Sequence, residues 1–291
     1  MIVERRAGVL HLILESLRLL SLLFLWDLAV VVAYNLLHEH WMEELALPFS
    51  LIGAALVLFL NVRNNAAYGR WWEARTLWGS VTNNARSFGR QAASLLEGAP
   101  DLARAMAAYA HALRGGLGGA DVAPELSRLL PPEMAARIQG RRNQAFAILY
   151  EIGVETHRLA RARGVDPAAY AGVDRTLSEL SNAQGGLERI RNTPLAIQFS
   201  ILPGLLVRVF CVILPFTMVH ELGWLTPLGS TLVGFEFLAL DEIGRDLEEP
   251  FKPSLHALPM AAMATTIEID LLQPIGDEAP PAVQATRGVL P

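Results

Sequence analysis

Three charged residues stand where charge is costly. Asp27 lies inside the run Leu19–Leu37 (LLSLLFLWDLAVVVAYNLL), Arg208 inside Phe199–Val219 (FSILPGLLVRVFCVILPFTMV) and Glu236 inside Leu225–Leu240 (LTPLGSTLVGFEFLAL). At a bilayer centre a charge costs at least ~2.5–3.5 kcal/mol on insertion scales, so such residues face protein or water. They mark either an ion or proton pathway or an interhelical pair of Arg208 with Asp27 or Glu236, since a guanidinium satisfies a carboxylate. A second acidic group, Asp241, Glu242, Asp246, Glu248 and Glu249 with Arg245 interleaved, follows the last of these runs. A calcium loop would alternate oxygen ligands around a turn glycine; the helical spacing here predicts a solvated helix face instead. Seven histidines (His11, His38, His40, His111, His157, His220, His256) are scattered. His38 and His40, two apart, do not share a helix face and read as solvated link residues. No P-loop, GxGxxG, HExxH, GxSxG or CxxC is present. The single cysteine, Cys211, has no disulfide partner. No catalytic residue, metal site or cofactor is expected.

The elements that carry these residues are set by the apolar runs. Of 291 residues, 52% are hydrophobic and 18% charged, against about 25% charged in soluble domains. That excludes a disordered chain, and a net charge of -5 offers no basic surface for nucleic acid. A fourth run, Leu47–Val62 (LPFSLIGAALVLFLNV), carries no charge. A bilayer core of ~30 Å needs about 20 predominantly apolar helical residues, and the four runs read as four spans rather than four buried helices of a soluble protein. The first is too long for a signal peptide and no small-x-small cleavage site follows it, so it reads as a retained span.

Arginine placement orients the spans. The links His38–Ala46 and His220–Trp224 contain no Arg or Lys. Arg5, Arg6 and Arg18 precede the first span, Arg63, Arg70, Arg75, Arg86 and Arg90 follow the second, Arg189 and Arg191 precede the third, and Arg245 and Lys252 follow the fourth. This predicts a multi-pass protein of the inner (plasma) membrane with both termini cytoplasmic and Trp41 and Trp224 on the outer links. The expected division is 1–62 for the N-terminal segment and first hairpin, 63–194 for a cytosolic helical region, 195–240 for the second hairpin, 241–275 for a cytosolic C-terminal segment and 276–291 for a mobile tail. In the cytosolic region Ala, Leu, Arg and Glu favour helix. Leu126–Pro132 and Pro167 break it into several helices, and Gly115, Gly116, Gly118 and Gly119 mark a loop.

The second span is the unusual one. No proline occurs between Ser50 and Pro100, so one helix is expected to run on from membrane into cytosol. Ala54, Leu58 and Val62 fall at i, i+4 and i+8 and share a stripe, while Phe49, Ile52, Leu56, Phe59 and Leu60 suit lipid or neighbouring helices. In one chain the stripe is ordinary packing. In a ring of identical chains it would line an axis with methyl groups, and such constrictions gate by dewetting.

Arg63–Gly79 (RNNAAYGRWWEARTLWG) resembles the signature of the bestrophin family in its bacterial branch. Asn192-Thr-Pro194, the segment Glu242 to Glu249-Pro250-Phe251 and the later Ile267–Leu271 (IEIDL) are similar to that family too. The resemblance implies an all-α membrane protein, four transmembrane helices plus a helical cytosolic region, assembled as a homopentameric ring that conducts monovalent ions. It implies a hydrophobic pore neck at Ala54, Leu58 and Val62, smaller side chains than the Ile or Phe frequent there in the family. It also implies a cytosolic constriction near Asp166–Val173, with Ala169 the nearest match. Animal members hold calcium in an acidic run after the Pro-Phe element; here Lys-Pro-Ser-Leu-His follows Phe251, so no calcium site is carried over. The family includes chloride channels and cation-conducting members, and Arg63 at the neck would favour anions if it faced the axis. A membrane-embedded enzyme and a non-conducting scaffold are the alternatives; the enzyme would need haem-ligating histidines inside the spans, where none of the seven lies.

Overall fold

The computed structural model describes residues 5–37, 49–96, 100–254, 256–285 and 290, and every regular element among them is helical. The chain divides into two compact units, one of Ile2–Trp71 with Pro194–Glu249 and one of Trp72–Thr193 with Pro250–Pro291.

The first unit holds α1 (Arg5–Leu37), the N-terminal part of α2 (Phe49–Leu95), the short α8 (Ile197–Ser200), α9 (Leu202–Leu222) and α10 (Thr226–Glu248). Among the described residues three helical runs are long and apolar enough to cross a membrane: Leu19–Leu36, Phe49–Leu95 and Ile197–Glu248. The last is folded in two, because Gly223 (φ 51°) ends α9 in a conformation that only glycine adopts easily and a 3₁₀ turn, Gly223–Leu225, leads into α10. Its core is Leu56 and Leu60 of α2 against Val207, Phe210, Cys211 and Leu214 of α9 and Phe237 of α10. Phe49 stacks on Phe210 at 4.6 Å, and Phe210 on Phe237 at 4.7 Å. Gly53 lies against Phe210, where an added Cβ would make ordinary contact at 3.4 Å from that ring. The indole of Trp26 on α1 donates to the Val212 carbonyl at 3.0 Å.

The second unit holds the rest of α2, α3 (Pro100–Gly118), α4 (Ala123–Leu129), α5 (Pro132–Ile138), α6 (Gln144–Ala162), α7 (Pro167–Asn192) and α11 (Met260–Leu272). Local chemistry sets the boundaries. Proline sits in the first turn of α4, α5 and α7, where its missing N–H costs nothing. Asp166 caps α7 by accepting from the Ala168 and Ala169 amides, and Asn143 caps α6 by accepting from Phe146. The expected glycine loop is narrower than its composition implied. Gly115, Gly116 and Gly118 remain helical, and only Gly119 (φ 73°) turns left-handed, because packed alanines on α3 keep the helix intact up to it. The start of the tail is held: Arg104 grips Asp277 at 2.6 and 3.0 Å and keeps its carboxyl below the usual range.

One buried ionic group ties this unit together. Glu268 of α11 accepts from His111 Nε2 of α3 at 2.8 Å and pairs with Arg128 of α4 at 2.5 Å. Burial pushes the Glu268 carboxyl up, but the two donors outweigh it and hold the carboxyl below its ordinary value. A carboxyl depressed in the folded state contributes stability above its unfolded pKa of about 4.3 and loses it as pH falls through the lower folded value. We therefore expect Glu268→Gln to lower the melting temperature at neutral pH and to flatten its decline below about pH 5, measured by thermal unfolding in detergent across pH.

Candidate functional site

Helix α2 presents two different faces within the first unit. Leu56, Leu60, Arg63 and Ala67 are buried, at spacings of four, three and four, the period of a helix stripe turned to a core. The residues expected to form the neck lie on the side turned away. Leu58 is 68% exposed and Val62 57%; Ala54 is exposed as well, and so is Leu51 a turn earlier. Phe59 is half-buried, its ring 6.2 Å from that of Phe199. Ala54, Leu58 and Val62 thus share one outward stripe, within a broader exposed side that also holds Leu51, Ala55, Val57 and Asn61. Ala169 belongs to the second unit, in the first turn of α7, half-buried, with its amide donating to Asp166 Oδ2 at 3.1 Å.

The end of this face is anchored by a group that the residue spacing did not bring to notice. The Arg63 guanidinium is 0% exposed; its Nη1 lies 2.7 Å from Asp241 Oδ1, itself 1% exposed, and its Nη2 lies 3.8 Å from Glu248. Nη1 also donates to the Asp241 carbonyl at 3.0 Å. Arg245 reaches Asp241 Oδ2 at 2.8 Å, Asn64 donates to the Leu240 carbonyl at 3.0 Å, and Arg70 Nε to the Glu248 carbonyl at 2.9 Å. Two expectations are corrected here. The acidic group after the last apolar run is not a uniformly solvated face: Asp241 and Glu248 turn inward, because the buried arginine needs counter-charge and acceptors. Arg63 likewise does not stand free at the neck. The signal was in the sequence, since position 63 falls in phase with the buried stripe of Leu56, Leu60 and Ala67.

Glycine makes room for this anchor. A Cβ on Gly204 would lie 3.1 Å from Asp241 Oδ2, and one on Gly244 would lie 2.0 Å from Asn64 Oδ1 and 3.0 Å from Arg63 Nη1.

The charges within the apolar runs do not pair as expected. Asp27 is buried, and its Oδ2 accepts from the Thr231 hydroxyl of α10 at 3.0 Å, while Oδ1 meets no hydrogen-bond donor among the described residues. Arg208 and Glu236 are exposed on α9 and α10. Among the described residues no ion pair joins Arg208 to either carboxylate, because these two helices turn Val207, Phe210 and Phe237 inward. His38, His40 and Trp41 lie outside the described residues. Among the described residues no three His, Cys, Asp or Glu side chains gather as a metal site.

Arg63→Met leaves Asp241 buried beside fewer donors, a loss of about 3–5 kcal/mol by the behaviour of broken buried pairs. Asp241→Asn in the same chain should recover part of it, read as melting temperature in detergent. Gly244→Ala should cost about 1–3 kcal/mol from overpacking, by the same measurement.

Comparison with known proteins gives a consistent result. The sequence profile described as Bacterial/Fungal Bestrophin protein matches residues 2–273. A protein of Ralstonia nicotianae named as a voltage-dependent anion channel-forming protein is 36% identical over 287 residues, covering 95% of this chain and 92% of its own. The similarly named YneE of Escherichia coli K12 is 34% identical over 264 residues, covering 89% and 86%. A crystal structure of a bacterial bestrophin homologue from Klebsiella pneumoniae superposes with a TM-score of 0.82 at 33% identity, covering 89% of this chain and 98% of that one.

Proposed function

The chain belongs to the bacterial and fungal bestrophin family of membrane proteins, and on that premise we propose that it is a passive anion channel of the inner membrane, a homopentamer whose axial pore is lined at its neck by Ala54, Leu58 and Val62. The observation that carries this reading is the outward stripe of α2. Leu58 and Val62 stay exposed on the side of α2 that lies away from the buried row Leu56, Leu60, Arg63 and Ala67. A stripe on one helix of one subunit encloses nothing by itself, so a pore along it requires several copies around an axis. Five leucines facing an axis leave an aperture that water fills reluctantly, because no hydrogen-bonding group lines it.

In this reading α1, the apolar part of α2, α9 and α10 cross the bilayer, both termini lie in the cytoplasm, and residues 63–194 and 241–275 form the cytosolic part, with Ala169 near a second constriction. The names of the relatives and the family point to a channel and not to an enzyme. Anion preference follows those names, since methyl rings by themselves reject neither sign and Arg63 is committed to Asp241.

In liposomes, Leu58→Ala with Val62→Ala should raise flux per reconstituted protein several-fold over wild type. Phe59→Ala and Leu56→Ala should lower stability and leave flux unchanged. Equal flux from all of these removes the stripe from the pore. Reversal potentials under a chloride gradient should follow the chloride equilibrium; a shift toward the cation equilibrium makes this chain a cation conductor. A monomer or dimer by mass measurement in detergent rejects the ring.

A further inference from the structure

The second unit contains a cavity that the conduction reading does not use. It is a half-open cavity of about 1110 Å³ between α3, α4, α5, α6 and the end of α7, slightly above the ~300–1,000 Å³ typical of small-molecule sites. Its lining mixes the apolar side chains Leu117, Val122, Leu126 and Ile138 with Arg141, Arg142 and Arg191 and with Asn143, Gln144 and Asn192.

The arginines are placed by local structure. Gly140 (φ 74°) reverses the chain after α5, so Arg141 and Arg142 arrive together just ahead of the N-terminus of α6. Gln144 and Ala145, the first residues of α6, also line the cavity, and first-turn amides of a helix favour an anion. Arg191, near the end of α7, donates to the Gly116 carbonyl. Many arginines of this unit are matched to a carboxylate, as in Arg86 with Asp270, Arg104 with Asp277, Arg114 with Glu125, Arg128 with Glu268 and Arg137 with Glu151. Arg141 and Arg142, adjacent in sequence and facing one cavity, pair with no carboxylate among the described residues. The two acids in the wall already hold protein donors: Glu188 accepts from Asn143 at 2.8 Å and Gln184 at 2.7 Å, and Asp121 accepts from the Ala123 amide at 3.0 Å.

We propose that this cavity binds a small organic phosphate, its charged group held by Arg141, Arg142 and the N-terminus of α6, and its apolar body against Leu117, Val122 and Leu126. Planar guanidinium forks match phosphate oxygens two at a time, and the apolar residues of the lining select a ligand with a hydrophobic end over a bare ion.

Calorimetry on the full-length protein in detergent, at fixed ionic strength in chloride, tests it with phenyl phosphate and inorganic phosphate as probes. Phenyl phosphate should bind once per chain and more tightly than inorganic phosphate. Arg141→Gln with Arg142→Gln should weaken it at least about tenfold without lowering the melting temperature, because both side chains are exposed. Binding should survive in Leu58→Ala with Val62→Ala, which separates this site from the neck. No heat from either probe overturns the proposal, as does affinity that the double arginine variant leaves unchanged. Equal affinity for the two probes overturns the role of the apolar residues.

Discussion

A buried arginine is the constraint on which the first unit depends. Arg63 sits in a row of apolar side chains, and a guanidinium there is tolerable only if counter-charge and acceptors come to it. Asp241 and Glu248 of α10 supply them, and Gly204 and Gly244 are the two positions at which helix backbone must come close enough to let them. The pairing also fixes the rotation of α2. With positions 56, 60, 63 and 67 turned to the core, the helix period leaves 54, 58 and 62 turned away from it. The same salt bridge that holds the helix therefore decides which of its side chains are available to line anything else, and removes Arg63 itself from that role.

The second unit settles its charges differently. Several of its arginines reach one carboxylate across a helix interface, and the deeply buried Glu268 is shared between a histidine and an arginine from two other helices. Alanine dominates the buried face of α3. Small side chains let α6 and α11 approach, and polar tethers at the edges give these otherwise similar faces a unique register. Arg141 and Arg142, adjacent in sequence and without carboxylate partners among the described residues, line one cavity.

Much was legible before any coordinates. The four apolar runs correspond to α1, α2, α9 and α10 because long, nearly uncharged apolar runs have few outcomes other than a helix. The unbroken α2 followed from the absence of proline, the start of α7 from Pro167 behind a capping aspartate, and the family from one dense motif, Arg63–Gly79. Composition misled where it averaged over positions. Four nearby glycines looked like a loop, although three of them are carried within α3 by the packing of its alanines. Five nearby acids looked like a wet surface, although two of them point at Arg63.

The sequence by itself determined which segments are helical, which of them are apolar enough for a bilayer, and the stripe that Ala54, Leu58 and Val62 share, because these follow from local propensity, hydrophobic run length and the 3.6-residue period. Only the tertiary structure decided which charges are partners. Asp27 met the hydroxyl of Thr231 rather than Arg208, and Arg63 met Asp241, a residue 178 positions away. Charge sign and spacing along one chain describe what each side chain needs; they carry no information on which distant helix will be rotated to bring it.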